Sequence, residues 1–204
     1  MIERTIRRKA KVAIFAVVHG IYFEQFPGLY ESLSKLHEDL CEKIRSNDGV
    51  ELVDFGMVDS SEKGYETAEK IKAANVNLIF CNMITYATSS VFAPILQSAD
   101  VPMVLVALQP RKAMDYTQAN TFMQLENDSI CSVPEFCMVA ERYGKPVNDV
   151  IIGTLYDDEK ADKEIAEWCD IAKVLNGLKG ARLGLMGRVL EAMYDMHADP
   201  TAVA

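Results

Sequence analysis

Five short apolar runs, each followed by a longer stretch with helical spacing, set the strongest constraint on how this sequence folds. The runs are Val12–Val18, Val50–Phe55, Val76–Cys81, Met103–Ala107 and Val150–Leu155. Each is too short for a helix, and all but the second, which carries Glu51 and Asp54, are nearly free of charged residues, the pattern of a strand buried on both faces. Between them, apolar residues recur three and four positions apart: Leu29, Leu33, Leu36, Leu40 and Ile44, then Tyr65, Ala68 and Ile71, then Val91, Phe92, Ile95 and Leu96. Phe136, Val139, Ala140 and Tyr143 form a fourth set, and Ile165, Trp168, Ala172 and Leu175 a fifth. Such spacing puts one apolar stripe on each helix. Parallel strands joined by right-handed helical crossovers follow. The fold class is therefore α/β: a doubly wound, five-stranded parallel sheet in three α/β/α layers, with the flavodoxin-like order 2-1-3-4-5.

Punctuation residues fit this division. Asn47-Asp48-Gly49 ends the first helix, and Ser60 or Ser61 caps the second. Pro94 requires the third helix to begin near Ser90, so that it stays in the first turn. Ser132, Pro134 and Glu135 have the spacing of a capping box for the fourth. The domain so defined spans residues 1–178. Residues 181–187 read as a sixth strand and turn, and Val189–Met196 as the start of a helix. Residues 179–204 thus either open a second, truncated α/β domain or add an edge strand and a C-terminal helix to the first.

Composition narrows the function. Of 204 residues, 25% are charged, and the net charge of −9 disfavours a nucleic-acid partner. Arg4, Arg7, Arg8, Lys9 and Lys11 form a basic cluster that reads as a solvated face. The five cysteines are scattered, with no C-x-x-C pair, which points to a reducing compartment and a cytoplasmic location. No apolar stretch reaches membrane-spanning length, so no membrane partner is expected. Val12–Val18 runs into His19 without a small-residue cleavage site, which favours a strand over a signal peptide. There is no P-loop and no G-x-S-x-G elbow. Gly177, Gly180, Gly184 and Gly187 do not make a dinucleotide fingerprint. His19-Gly20-Ile21-Tyr22 is not a flavin phosphate loop, and the acidic residues of a response regulator are missing beside the first strand.

In a sheet of this order the reversal lies between strands one and three, where ligands bind at the carboxyl ends. The loops His19–Tyr22, Asn82–Thr88 and Gln109–Asn120 should stand side by side there. Tyr22, Tyr86 and Tyr116, one from each loop, are expected to form an aromatic wall. Gln109, Gln118 and Asn120 add neutral donors and acceptors suited to hydroxyl-rich ligands. Arg111 and Lys112 either bind an anion or are solvated. His37 reads as a surface or half-buried residue, and His197 as a cap of the last helix. The three histidines show no metal spacing, so neither a metal site nor a catalytic residue is assigned within this chain.

Several short motifs are similar to those of the L-arabinose/L-fucose isomerase family. Leu108-Gln109-Pro110 followed by Tyr116-Thr117-Gln118-Ala119-Asn120 resembles a strand end preceding His-Thr-Gln-x-Asn. Gly20-Ile21-Tyr22 resembles the loop Gln-His-Leu-Tyr, and Thr85-Tyr86 resembles Thr-Phe after the third strand. Residues 182–203 resemble the opening of that family's second domain. The resemblance implies an aldose–ketose isomerase, an intramolecular oxidoreductase of carbohydrate metabolism, that works as a homo-oligomer with active sites between subunits. A divalent metal, usually manganese, would be held by Glu and His residues of later domains and not by this segment, which alone would be inactive. It also implies that His19, Ile21, Tyr22, Tyr86 and Gln109 line the sugar cleft. Tyr116 and His19-Gly20 stand where the arabinose branch has His and Gln-His, which puts arabinose itself in question. The alternative from a different class is a non-enzymatic flavodoxin-like module for ligand binding or subunit assembly.

Overall fold

A computed structural model of the chain describes residues 9–181. The expected sixth strand and its helix, His197, and the basic residues at positions 4–8 lie outside the described residues. Five strands form one parallel sheet: β1 (Ala10–Val17), β2 (Val50–Val58), β3 (Leu78–Asn82), β4 (Met103–Gln109) and β5 (Asp149–Thr154). Their order is β2-β1-β3-β4-β5, as the sequence pattern requires. The register runs through the middle of the sheet, with Ile14 opposite both Asp54 and Phe80, and Phe80 opposite Val104.

Seven helical segments accompany the strands among the described residues: α1 (Ile21–Gln25), α2 (Leu29–Arg45), α3 (Ser61–Ala74), α4 (Ser89–Ser98), α5 (Thr121–Glu126), α6 (Val133–Arg142) and α7 (Glu159–Lys179). Alternation along the strands divides the core in two. Ala13, Phe15, Ile79, Cys81, Leu105 and Ala107 face α3, α4 and α6. Val12, Ile14, Leu78, Phe80, Val104 and Val106 face α2 and α7. This is the three-layer α/β/α architecture. A third apolar cluster closes the carboxyl rim, where Leu29, Leu33 and Leu125 pack beneath Tyr22, Phe23 and Phe26. Phe92 of α4 and Phe136 of α6 stack at 4.7 Å with planes 8° apart. Truncating either to Ala removes a fully buried ring, worth about 3–5 kcal/mol.

Four local expectations are corrected. The loop after β1 contains the single-turn helix α1, drawn together by Tyr22, Phe23 and Phe26 packing on the rim core. Within the loop after β4, Asn120 accepts the Met123 N–H and starts α5, and Leu125 is buried. Pro94 is the sixth residue of α4, not a first-turn residue. Its ring packs 3.3 Å from the position a Cβ would take on Gly64, so α3 and α4 cross closely there. Ser132 does not cap its own helix. Its Oγ is buried, donates to the Ala87 carbonyl (2.7 Å) and accepts the Ala87 N–H (3.1 Å). Glu135 likewise accepts the Ser89 N–H (2.8 Å). The capping-box residues of α6 therefore brace the neighbouring loop after β3 and cap α4.

β2 runs three residues beyond the apolar stretch that marks it in the sequence. Ile14 pairs with Asp54 and Ala16 with Met57, so β2 holds one extra residue in between. Gly56 takes φ 70° at this bulge and gives its N–H to Asp54 Oδ1 (2.7 Å). A side chain at position 56 would be strained.

Candidate functional site at the carboxyl rim

The reversal in strand order places the ends of β1 and β3 next to each other. β1 releases His19 and Gly20, and α1 turns back at once, with Tyr22 N–H donating to the His19 carbonyl (3.1 Å). The turn lays the Tyr22 ring edge-on to His19, with centroids 5.2 Å apart and planes at 88°. A Cβ on Gly20 would meet Asp59 Cβ at 3.2 Å, so this turn packs tightly against the end of β2. From the β3 side, Tyr86 comes within 6.3 Å of His19 and 6.4 Å of Tyr22. The Ser132 brace on Ala87 holds this loop in place.

The loop before α6 completes the group. Asp128 and Cys131 stand close enough to Tyr22 for their charges to act on its phenol. Burial first, then Tyr86, Asp128 and Cys131, push the Tyr22 hydroxyl above its usual range. Burial also pushes the Asp128 carboxyl up, and the Cys131 thiol rises through burial, Asp128 and Glu135. The His19 ring nitrogens, the Tyr22 and Tyr86 hydroxyls and the Asp128 carboxylate make no hydrogen bond among the described residues. On the same two loops, the buried hydroxyls of Thr85 and Ser129 have no partner. Buried polar atoms are normally satisfied, so the two unpaired hydroxyls, beside the half-buried groups that are open to solvent, make this rim a candidate binding surface.

Next to it lies an open cavity of ≈ 680 Å³, bordered by Gln109, Tyr116, Asn120, Gln124, Asn127 and Asp128. Asp128 thus belongs to both parts. Gln109 ends β4 and donates its amide to the Asn127 carbonyl (2.6 Å). Arg111 binds Asn127 Oδ1 through its backbone N–H and Glu126 through its guanidinium. Of the residues singled out from sequence, His19, Tyr22 and Tyr86 meet, and Gln109 and Tyr116 border the cavity. Ile21 is exposed at the start of α1, and Gln118 is exposed beyond the cavity.

The expected wall of three tyrosines is corrected: Tyr116 is 89% exposed and stands apart from the other two rings. Its loop is satisfied by a polar turn, in which Asp115 accepts from Thr117 through its carboxylate and from Gln118 and Ala119 through its carbonyl. No apolar residue of that turn pulls the tyrosine inward. Thr85 entered only through the Thr85-Tyr86 motif, and Asp128, Ser129 and Cys131 were not singled out. The polar triplet Asn127-Asp128-Ser129 just before α6 was the signal for the first two of these.

The expected surface or half-buried position of His37 is also corrected. It is buried under α2, where Nε2 meets Asp54 Oδ1 (2.9 Å) and Nδ1 meets the Asn82 amide (3.0 Å). Its partners are 17 and 45 residues away, out of reach of local spacing. Among the described residues, His37, Cys41 and Asp54 form the one group of three His, Cys, Asp or Glu whose ligand atoms lie within 4.8 Å of one another. Manganese prefers an oxygen-rich set. The rim offers only Asp128 and His19, and the group under α2 includes a thiol, so these residues do not fit that ion.

The fold is that of an α/β protein, and its rim is a candidate ligand site at the topological switch point. No protein-family model matches the chain, and no curated protein matches it in sequence. Solved structures are similar to it only at a low level. Est24, a carbohydrate acetylesterase from Sinorhizobium meliloti, is 11% identical with a TM-score of 0.41, covering 83% of this chain and all (100%) of that one. An NADPH-quinone reductase from P. pentosaceus is 10% identical with a TM-score of 0.37, over 78% and 95% of the two chains. An ABC domain in complex with L-Trp from Streptococcus pneumonia is 14% identical with a TM-score of 0.33, over 85% and 86%. No described helix is long and apolar enough to cross a membrane.

Proposed function

We propose that this domain forms the sugar-binding part of the active site of an aldose–ketose isomerase of the L-arabinose/L-fucose isomerase type. One observation carries the reading. His19, Tyr22 and Tyr86 present aromatic faces and unpartnered hydrogen-bonding atoms beside Asp128, at the switch point of the sheet. A sugar matches that mixture: its C–H face packs on aromatic rings while its hydroxyls both donate and accept. A phosphorylated ligand fits less well, since Asp128 adds negative charge at the rim. In this reading the domain supplies shape and hydrogen bonds. The metal and the acid–base groups come from a further segment or from another subunit of a homo-oligomer. The five free thiols support a cytoplasmic enzyme.

The test has two arms. The complete gene product, supplied with manganese, is assayed for aldose–ketose conversion over a panel of pentoses and hexoses. The 204-residue chain alone is titrated with the same sugars by NMR. Conversion by the complete protein, and weak binding without turnover by the chain, is the expected outcome. Binding with no conversion by the complete protein assigns a ligand-binding module instead. Robust turnover by the chain alone overturns the division of labour.

A further inference from the structure

We propose that His37, Cys41 and Asp54 form a binding site for one zinc-class divalent cation, pinning α2 to β2. His37 and Cys41 are four residues apart, on the face of α2 that also buries Leu33, Leu40 and Ile44 against the sheet. Asp54 reaches the same place from β2, where the bulge and the Gly56 N–H aim its carboxylate. His37 Nε2 lies 2.9 Å from Asp54 Oδ1 and 3.7 Å from Cys41 Sγ. Zinc bonds of about 2.0–2.3 Å in a tetrahedron give ligand–ligand separations of roughly 3.3–3.6 Å. Small side-chain movements therefore open the group around an ion. The Asp54 side chain is 29% exposed, which gives the ion an entry path and a water for the fourth position.

Charge and protons balance. A thiolate and a carboxylate offset the two positive charges, and the neutral imidazole adds none, so no net charge is left in this buried place. Without metal the His37 proton sits on Nε2, facing Asp54, and the Asn82 amide donates to Nδ1. On binding, the Cys41 thiol proton leaves to solvent and the imidazole proton moves to Nδ1. The Asn82 side chain turns its oxygen to accept it. Asn82 then fixes the ring as an outer partner of a metal-bound histidine. A ligand set of thiolate and imidazole selects zinc over manganese or magnesium. This inference stands apart from the sugar-cleft reading.

The experiment uses the whole 204-residue chain after chelator treatment, with zinc and cobalt as probes. One equivalent should bind, release about one proton at neutral pH and raise the midpoint of thermal unfolding. Cobalt should give thiolate-to-metal charge-transfer absorption. Cys41→Ser should weaken binding roughly a hundredfold or more, while Cys137→Ser, at a free cysteine outside both clusters, should not change it. Manganese should give no comparable rise. The wild-type cobalt spectrum keeps the test independent of whether a variant folds. Absence of thiolate absorption in the wild type overturns the proposal, as does zinc binding unchanged by Cys41→Ser in a variant with native circular dichroism.

Discussion

Two clusters in this molecule are built from the same residue types and behave in opposite ways. At the rim, His19 stands with Asp128 and Cys131. Under α2, His37 stands with Asp54 and Cys41. In the second cluster the hydrogen bonds are made: Asp54 accepts from His37 and from the Gly56 N–H, and Asn82 holds the other face of the ring. In the first they are open. The carboxyls register the difference. Burial pushes both up, but around Asp54 the His37 bond, the Gly56 N–H and the nearby Arg45 charge outweigh it and hold the group below its usual range. Nothing comparable opposes burial at Asp128, which ends above its range. A polar cluster satisfied from within holds elements of the fold together, and one left open keeps its hydrogen-bonding atoms free to meet other groups.

The sharpest way to break this contrast is to remove each histidine. His37→Leu strips Asp54 of a donor and leaves the Asn82 amide, 3% exposed, unpaired. A loss of about 2–4 kcal/mol is expected in urea unfolding. His19→Leu should move stability by no more than about 0.5 kcal/mol and act on ligand affinity. Equal losses at the two positions would erase the distinction. Next in size is Ser132→Ala. It removes both bonds to Ala87 and should cost about 1–2 kcal/mol. Because Ala87 carries the Tyr86 loop, sugar affinity should fall in the same variant. Stability lost with affinity intact would show that the brace does not position the rim.

Acid titration separates the carboxyls by sign. The Asp54 pKa is depressed by folding, so its contribution is present above the unfolded value of about 3.9 and disappears as pH falls through the folded value. The Asp128 pKa is raised, so its contribution is present below that unfolded value and disappears as pH rises through the folded one. The stability gap between wild type and Asp54→Asn should therefore narrow on acidification. Asp128→Asn should be slightly stabilising at neutral pH, by no more than about 0.5 kcal/mol given solvent screening, while weakening sugar binding. Unfolding midpoints measured across the acid range test both slopes.

The sheet was legible because its signal is local and repeated. The buried runs of β1, β3 and β4 are continuous, each helix has its own stripe, and the connections allow little besides this order. The switch point, and with it His19, Tyr22 and Tyr86, followed from topology alone. What escaped depends on contacts distant in sequence. His37 looked like a surface residue because its partners sit on β2 and at the end of β3. Ser132 and Glu135 have the spacing of a capping box, but neighbouring loop amides 45 and 46 residues away claim both side chains. Tyr116 was placed inward by analogy with the other two tyrosines, although its turn satisfies itself.

The smallest effects belong to the rim tyrosines, and they decide how far the open cluster extends. Tyr22→Phe and Tyr116→Ala should each leave stability within about 0.5 kcal/mol of wild type, the first because its hydroxyl bonds to no described residue, the second because the side chain is 89% exposed. Binding should distinguish them. Tyr22 faces His19 and Tyr86 across gaps of 5.2 and 6.4 Å, and its hydroxyl is free to meet a ligand hydroxyl. Its loss should weaken sugar binding by about 0.5–1.5 kcal/mol, the net value of one hydrogen bond. Tyr116 borders only the adjoining cavity, so its removal should change affinity less. If Tyr116→Ala proves the more damaging, the sugar occupies the cavity beside Gln109, and the aromatic group at the switch point is its margin.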